Sequence, residues 1–573
     1  FRTSFCRFYC LTFNFSVKIY RSIEYIVFGV FSLLTMVTTS CSNFLEEEPL
    51  DLKTDGQFWT SDADAQSAVN MVYSGGVPYL YGGRNTGWQP TRLMYNGLLS
   101  GLFVDDKKDG DLSSNMETLN INFQTVAGDV GELWREPYVS IGRCNVLAKR
   151  LPQMVEAGII SEDRKNELLA QAYFFRAWSY FFLIKEFGCK DGEAQGGGNG
   201  GVPLVLEPYE TTDPSVINQP RASIVAVYEQ IEKDLLGAIK YLPNTTFYDN
   251  GCRITRPAAQ ALLASVYLQW AGYPLQDTDK YAEAAQMAES IINGGAGHAL
   301  EQNEDDGTNQ LSAFNKIKNN KKSKEIIYAI EYDETLNQGN PYINACMTGQ
   351  ATAWVEDDNS KVFATSVLAN MYHASDVVLD SYEDGDVRIK EKNFFFTNYV
   401  SNTGKVFECN QYDNWFWFED YAMINSKGSS LNFPVFRLAE IYLIAAEALL
   451  KQNNPDQAKA RTYLETVRKR AFTVNGELNA NYDLPATVTI EDVLTERLHE
   501  LPLELKVWDD IRRNRLYPQL QADNSLKWVD IATAETYNKR DNKSFKDNLH
   551  MLLWPIPQSA MERNPNLTQN PGY

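Results

Sequence analysis

Residues that carry chemistry are scarce in this chain. Of its 573 residues only four are histidine (His298, His373, His499 and His550), and none is spaced to share a metal. There is no His-Glu-x-x-His or Gly-x-Ser-x-Gly motif, and the Gly196–Gly201 run does not join a strand to a helix as a phosphate-cradling loop would. Carboxylates abound, but neighbours such as Glu356 and Asp357 do not make a glycosidase pair without a defined separation. The acidic Asp105–Asp111 stretch fails the EF-hand register. Cysteine points the same way. Cys6 and Cys10 belong to an N-terminal leader, Cys41 directly follows it, and Cys144, Cys189, Cys252, Cys346 and Cys409 are odd in number with no Cys-x-x-Cys pair, which argues against a disulfide framework or a zinc site. No cofactor and no enzymatic activity are expected.

Positive charge is also short. Fifty-three Lys and Arg face 74 Asp and Glu, a net charge of −21 with a pI near 4.8. Such a surface repels nucleic acid, and the brief Lys316–Lys324 cluster, without interleaved aromatics, reads as a solvated loop. The longest apolar runs fall short of the roughly 18–20 residues of a bilayer span.

What the chain has in quantity is aromatic side chains: 31 Tyr, 29 Phe and 11 Trp. They concentrate in Gln171–Gly188, where Leu168, Ala172, Phe175, Trp178 and Phe182 recur at helical spacing and Leu169, Tyr173, Tyr180 and Ile184 fill most of the remaining circumference. A helix apolar nearly all round must be packed nearly all round. This is the expected central helix, opening at Ser161-Glu-Asp and leaving through a Gly-rich loop into an extended Val202–Leu206. Further helices are predicted over Asp62–Tyr73, Val130–Met154, Arg221–Leu242, Thr255–Ala271, Tyr281–Ile292, Phe433–Leu450, Asp456–Arg470, Ile490–Leu501 and Leu505–Arg513. Alanine seams and aromatic knobs on paired helices are tetratricopeptide-like, with an irregular period. The fold class is therefore mainly α, with a helix-pair scaffold mainly in 130–292 and 433–516. Residues 75–125 and 294–432 differ: rich in Gly, Asn and aromatics, they show little helical period beyond a strand at Ile326–Tyr332. Long irregular insertions of this kind commonly carry function, and their aromatic content argues against disorder.

Residues 1–40 read as processing sequence. Lys18 and Arg21 precede an apolar run, Ile26–Val37, and small residues then lead to Cys41. The order is that of a signal peptide ending in a lipobox, with Thr38 where leucine is usual. Cys41 is the expected lipidation site. Residues 1–16 lack signal-like order, and Val17 would make a natural start, so they read as a translation artefact. Without residues 1–40, which hold four basic residues and one acid, the net charge is about −24. One domain is expected over 41–573.

Several segments together resemble the SusD/RagB family of Bacteroidota surface lipoproteins. They are Phe175-Arg-Ala-Trp-Ser-Tyr-Phe with Phe187-Gly and Val202-Pro-Leu; Arg253-Ile-Thr-Arg-Pro-Ala-Ala; Phe436-Arg-Leu-Ala-Glu-Ile-Tyr-Leu; Arg497–Glu500; Trp508-Asp-Asp-Ile-Arg-Arg; and Leu553–Tyr573. The likeness runs along essentially the whole length after the leader, with Cys189–Asn199 as an insertion. It implies a scaffold of four repeat-like helix pairs bearing an irregular ligand portion, and an anchor in the outer membrane facing the exterior, a placement the acidic Glu46–Glu48 behind Cys41 fits. It also implies a TonB-dependent SusC-like transporter as partner, with oligosaccharide as cargo or, as in RagB-like members, peptide.

Sugars present flat C–H faces and rims of hydroxyls, so a glycan site needs exposed Trp or Tyr platforms flanked by polar side chains. Trp134, Trp178, Trp270, Trp508 and Trp554 lie in packing segments and are expected in the core. The candidate platforms are Trp88, Trp354, Trp415 and Trp417 in the irregular stretches, with Tyr81, Arg84, Asn85 and Arg92 around Trp88. The family's use of an early loop with later insertions favours Trp88 and Trp354.

Overall fold

A computed structural model describes residues 58–82, 97–105, 123–305, 307–308, 310–336, 339–345, 351, 353–364, 371–425, 428–534 and 545–573. Ser61–Tyr573 form one compact unit, and of the residues before it only 58–60 are described. The leader and Cys41 lie outside the described residues. The larger unit is mainly α, with five two-stranded sheets among the described residues.

Helices α1 (Asp62–Tyr73), α2 (Val77–Leu80) and α3 (Phe123–Glu156) precede the central helix α4 (Glu162–Phe187). Ser61 and Ser161 cap α1 and α4, each accepting a backbone N–H through its side chain. After α4 come α5 (Ile224–Tyr241), α6 (Arg256–Ala271) and α7 (Lys280–Ile292), the first two capped by Ser223 and Thr255, with Pro257 in the first turn of α6. The chain returns to helix in α8 (Leu438–Lys451), α9 (Gln457–Ala471), α10 (Ile490–Glu500) and α11 (Val507–Asn514). Helices α3 to α9 pack in succession, each on the next. This is the paired scaffold that the periodicity predicts. Among the described residues no helix is long and apolar enough to cross a membrane.

The central helix is buried along most of its length, from Leu168 to Phe187. Its one mid-helix cation, Arg176, grips Asp234 of α5 through two 2.7 Å bonds and Asn145 of α3 through one of 2.9 Å. A buried arginine is tolerated only when paired and hydrogen-bonded in this way. The extended Val202–Leu206 is not a strand. Instead its carbonyls accept from side chains of α3 and α4: Pro203 from Tyr138, and Val205 from Tyr180 and Asn145. The Cys189–Asn199 insertion is a loop closed where Cys189 N–H donates to the Gly200 carbonyl at 3.0 Å. Buried Arg221 then donates to the carbonyls of Phe187, Gly200, Gly201 and Thr568 and to Asn570 Oδ1, tying the Leu553–Tyr573 segment over the exit of α4.

The predicted Phe433–Leu450 helix begins later than expected. Phe433–Arg437 form a strand that pairs antiparallel with Ile326–Ile330, and the helix starts at Leu438. The irregular portion is anchored through this sheet and through a buried ion network. Arg388 pairs with Asp386 (2.6 Å), Glu496 (2.6 Å) and Glu500 (3.2 Å). Arg437 pairs with Glu325 (2.6 Å), Glu500 (2.9 Å) and Glu504 (2.7 Å), and Arg470 joins Glu325 (2.7 Å) to Glu500. Burial alone would raise the Glu500 carboxyl, but Arg470, Arg437 and Arg388 outweigh it and hold the group at about 2.

Candidate functional site

Tyr81 stands where an early excursion leaves the scaffold. Its ring lies 4.9 Å from Phe433 and 6.0 Å from Trp178, and its carbonyl accepts from the Tyr332 hydroxyl. It is a half-buried wedge between the central helix and the irregular portion. Arg84, Asn85, Trp88 and Arg92 lie outside the described residues. The excursion returns at Gly97, where a Cβ would come within 2.4 Å of the Tyr372 ring. Tyr372 in turn stacks on Phe103 at 4.2 Å with 9° between planes. Both roots of the early excursion thus rest on residues of the 294–432 interval, Tyr332 at one end and Tyr372 at the other, with Phe433 of the adjoining strand also against Tyr81.

That interval is built around the hairpin Phe395–Val400 and Val406–Asn414. One face of the hairpin is covered by an aromatic cluster of Phe363, Phe396, Tyr399, Trp415 and Phe418, with Trp354 among them. Here three expectations need correction. Trp354, Trp415 and Trp417 were expected as exposed platforms, yet they are 9%, 7% and 2% exposed. Trp354 stacks on Phe407 (5.2 Å, 25°) and Tyr399 (6.1 Å, 16°). Trp415 stacks on Phe418 (5.1 Å, 22°), donates through Nε1 to Asn315 Oδ1 (2.9 Å) and carries the Lys318 ammonium 4.1 Å from its ring centroid. Trp417 stacks on Tyr342 (5.0 Å, 26°) and on Phe433 (4.8 Å, 15°), which also meet each other at 4.9 Å. The physical reason is shared by all three. A two-stranded hairpin and short turns bury too little aliphatic surface to hold a fold, so these large rings form the interior themselves.

Exposure falls elsewhere, on tyrosines that the sequence reading missed. Tyr412 is 37% exposed and Tyr421 57%. Tyr412 lies within the register shift between Asn398↔Glu408 and Phe396↔Asp413, where extra residues on one strand can re-aim a side chain. Tyr421 opens the short helix Asp420–Asn425. Its signal is faint: a lone Tyr among acids, directly after the packed Trp415–Phe418 run. The turn of the hairpin carries charge. Lys405 bonds Asp357 (2.8 Å) and the Val355 carbonyl (3.0 Å), and Thr403 bonds Glu356 (2.7 Å). Lys318 donates to the Trp415 carbonyl at 2.7 Å; burial pushes its ammonium down to about 7, against the pull of Asp420 and Glu419. Rings for stacking, hydroxyls and carboxylates for hydrogen bonding, and a rigid scaffold beneath suit the binding of a polar, ring-shaped ligand.

A family model described as "SusD family" matches residues 308–573, and one described as "Starch-binding associating with outer membrane" matches residues 48–268. SusD-like protein P2 of Formosa agariphila is 27% identical over 571 residues, covering 95% of this chain and 99% of that protein. Among solved structures, a SusD superfamily protein from Parabacteroides distasonis superposes with a TM-score of 0.72 at 24% identity, covering 89% of this chain and 99% of the other. Surface glycan-binding protein A from Bacteroides uniformis superposes with a TM-score of 0.66 at 20% identity, covering 89% and 99%. With both halves matched by models of this group and one relative aligned almost end to end, the chain belongs to the SusD/RagB family.

Proposed function

We propose that this protein is a non-catalytic, surface-exposed lipoprotein that captures oligosaccharide and passes it to a TonB-dependent SusC-like transporter in the outer membrane. The observation that carries the reading is the joining of the early excursion, at Tyr81 and Gly97, to the aromatic later portion on one helical scaffold. The name of the Bacteroides uniformis neighbour and the starch-binding description of the matched model favour glycan as cargo. In this reading Trp88, Tyr412 and Tyr421 offer ring faces, and Arg84, Asn85 and Arg92 bind hydroxyl rims. Trp354, Trp415 and Trp417 support them from below. Cys41 carries the lipid that holds the protein at the outer face of the membrane.

Two experiments test the placement. Cys41→Ser is expected to release the protein from the membrane fraction or to trap its precursor; unchanged membrane retention contradicts the anchor. Tagged protein solubilised from native outer membranes is expected to bring down a β-barrel transporter of the TonB-dependent class. Recovery of the protein alone under mild detergent contradicts the partnership.

A further inference from the structure

A pit of about 90 Å³ opens beside Tyr81, walled by the second half of α4, by α6, by the first turns of α8, and by α10 and α11. Trp178, Phe182, Leu268 and Ile444, all buried, give it apolar walls. Of its charged wall residues, those with most access to water are the ion-paired Lys185 and Asp509, with side chains 18% and 19% exposed, and Lys506, at 15%. Arg497 also lines the pit, is 3% exposed, and is incompletely bonded. Its Nε donates to Asp510 Oδ2 at 2.8 Å, its Nη2 comes only to 3.8 Å of Glu440 Oε1, and its Nη1 has no hydrogen-bond partner among the described residues. Both of these acids are shared with another cation. Asp510 also accepts from Arg513 at 2.8 Å, and Glu440 stands 3.0 Å from the Lys506 ammonium. The other acids of the wall are taken as well, Glu186 by Arg512 and Asp509 by Lys185 and Arg512. A buried guanidinium N–H without an acceptor is costly, and native proteins rarely leave one.

We propose that this pit binds a small carboxylate, of the size of formate or acetate, on the terminal Nη1–Nη2 edge of Arg497. A carboxylate meets such an edge with two parallel N–H···O bonds, which a halide or a single water molecule cannot make. The pit sets the size, since about 90 Å³ admits only a few heavy atoms. Its apolar walls suit a hydrogen or a methyl group behind the carboxylate better than a second charge. The site does not depend on the cargo being glycan.

The test uses the purified protein in saturation-transfer NMR and in thermal melts, with sodium acetate, sodium pivalate and sodium chloride compared at one ionic strength of about 0.1 M. Acetate is expected to give saturable transfer and to raise the melting midpoint by about 1–3 °C over the chloride value. Pivalate carries the same charge on a bulkier group and is expected to do neither. Ser265→Leu enlarges a side chain of the pit wall without touching Arg497 or its partners, and is expected to abolish both acetate signals. No saturable transfer from acetate overturns the proposal. So does transfer that persists undiminished in Ser265→Leu, an equal effect of pivalate, or a midpoint raised equally by chloride. If Ser265→Leu does not fold, the contrast of acetate with pivalate and chloride on the unaltered protein decides alone.

Discussion

Trp417 and Tyr421 stand four residues apart and have opposite surroundings. The first stacks on both Tyr342 and Phe433, and the second is 57% exposed. Truncating a buried Trp typically costs about 3–5 kcal/mol, so Trp417→Ala is expected to lower the thermal midpoint sharply in a calorimetric melt. Trp354→Ala is expected to lower it as well, since its ring is stacked on Tyr399 and Phe407. Tyr421→Ala should leave the midpoint nearly unchanged and weaken glycan binding by about tenfold, if ring stacking contributes roughly 1–3 kcal/mol as it does for bases on aromatics. A normal affinity in Tyr421→Ala removes that tyrosine from the site. The sequence shows that 294–432 is aromatic and irregular, but not which rings are inside. In a segment without period, burial is decided by distant partners: Trp417 is covered by Tyr342, and Trp354 by Phe407.

Among the elements, the helices were legible wherever a period and a cap coincide. Ser61, Ser161 and Thr255 each begin a helix at the expected place, α5 starts after its Ser223 cap rather than at the expected Arg221, and α4 is recognisable because it is apolar nearly all round. Phe433–Arg437 was not legible as a strand, because its partner Ile326–Ile330 lies about a hundred residues earlier. Nor does the sequence reveal that Arg388, Arg437 and Arg470 converge on Glu500 and join the irregular portion to α9 and α10. This junction has a pH signature. The Glu500 carboxyl is held at about 2 against an ordinary 4.5, and Glu447, beside Arg513 and Lys451, is also at about 2. Folded values below the unfolded ones mean that the stabilisation is complete above about pH 4.5 and is lost as pH falls from there toward 2. For Glu500 this corresponds to something on the order of 3 kcal/mol. Melting followed between about pH 6 and 3 should show a midpoint that holds and then drops below about 4.5; a midpoint flat to pH 3 contradicts the network's role. Glu500→Gln leaves three guanidiniums short of a carboxylate and is expected to cost about 3–5 kcal/mol at neutral pH.

Across the whole molecule, the sequence and the structure agree on architecture: a mainly α scaffold with an irregular, aromatic portion tied to it. They diverge on the candidate platforms: Trp354, Trp415 and Trp417 are buried, Tyr412 and Tyr421 are exposed, and the Trp88 constellation lies outside the described residues. A capture protein must bind without converting its cargo, and it must prefer glycan to peptide. Calorimetry of the purified protein against a panel of oligosaccharides and of peptides, with the recovered ligand analysed for new reducing ends, tests both at once. The account predicts saturable binding of at least one oligosaccharide, no binding of the peptides and no new reducing ends. Binding confined to peptides, or release of reducing ends that tracks the protein through chromatography, would contradict it.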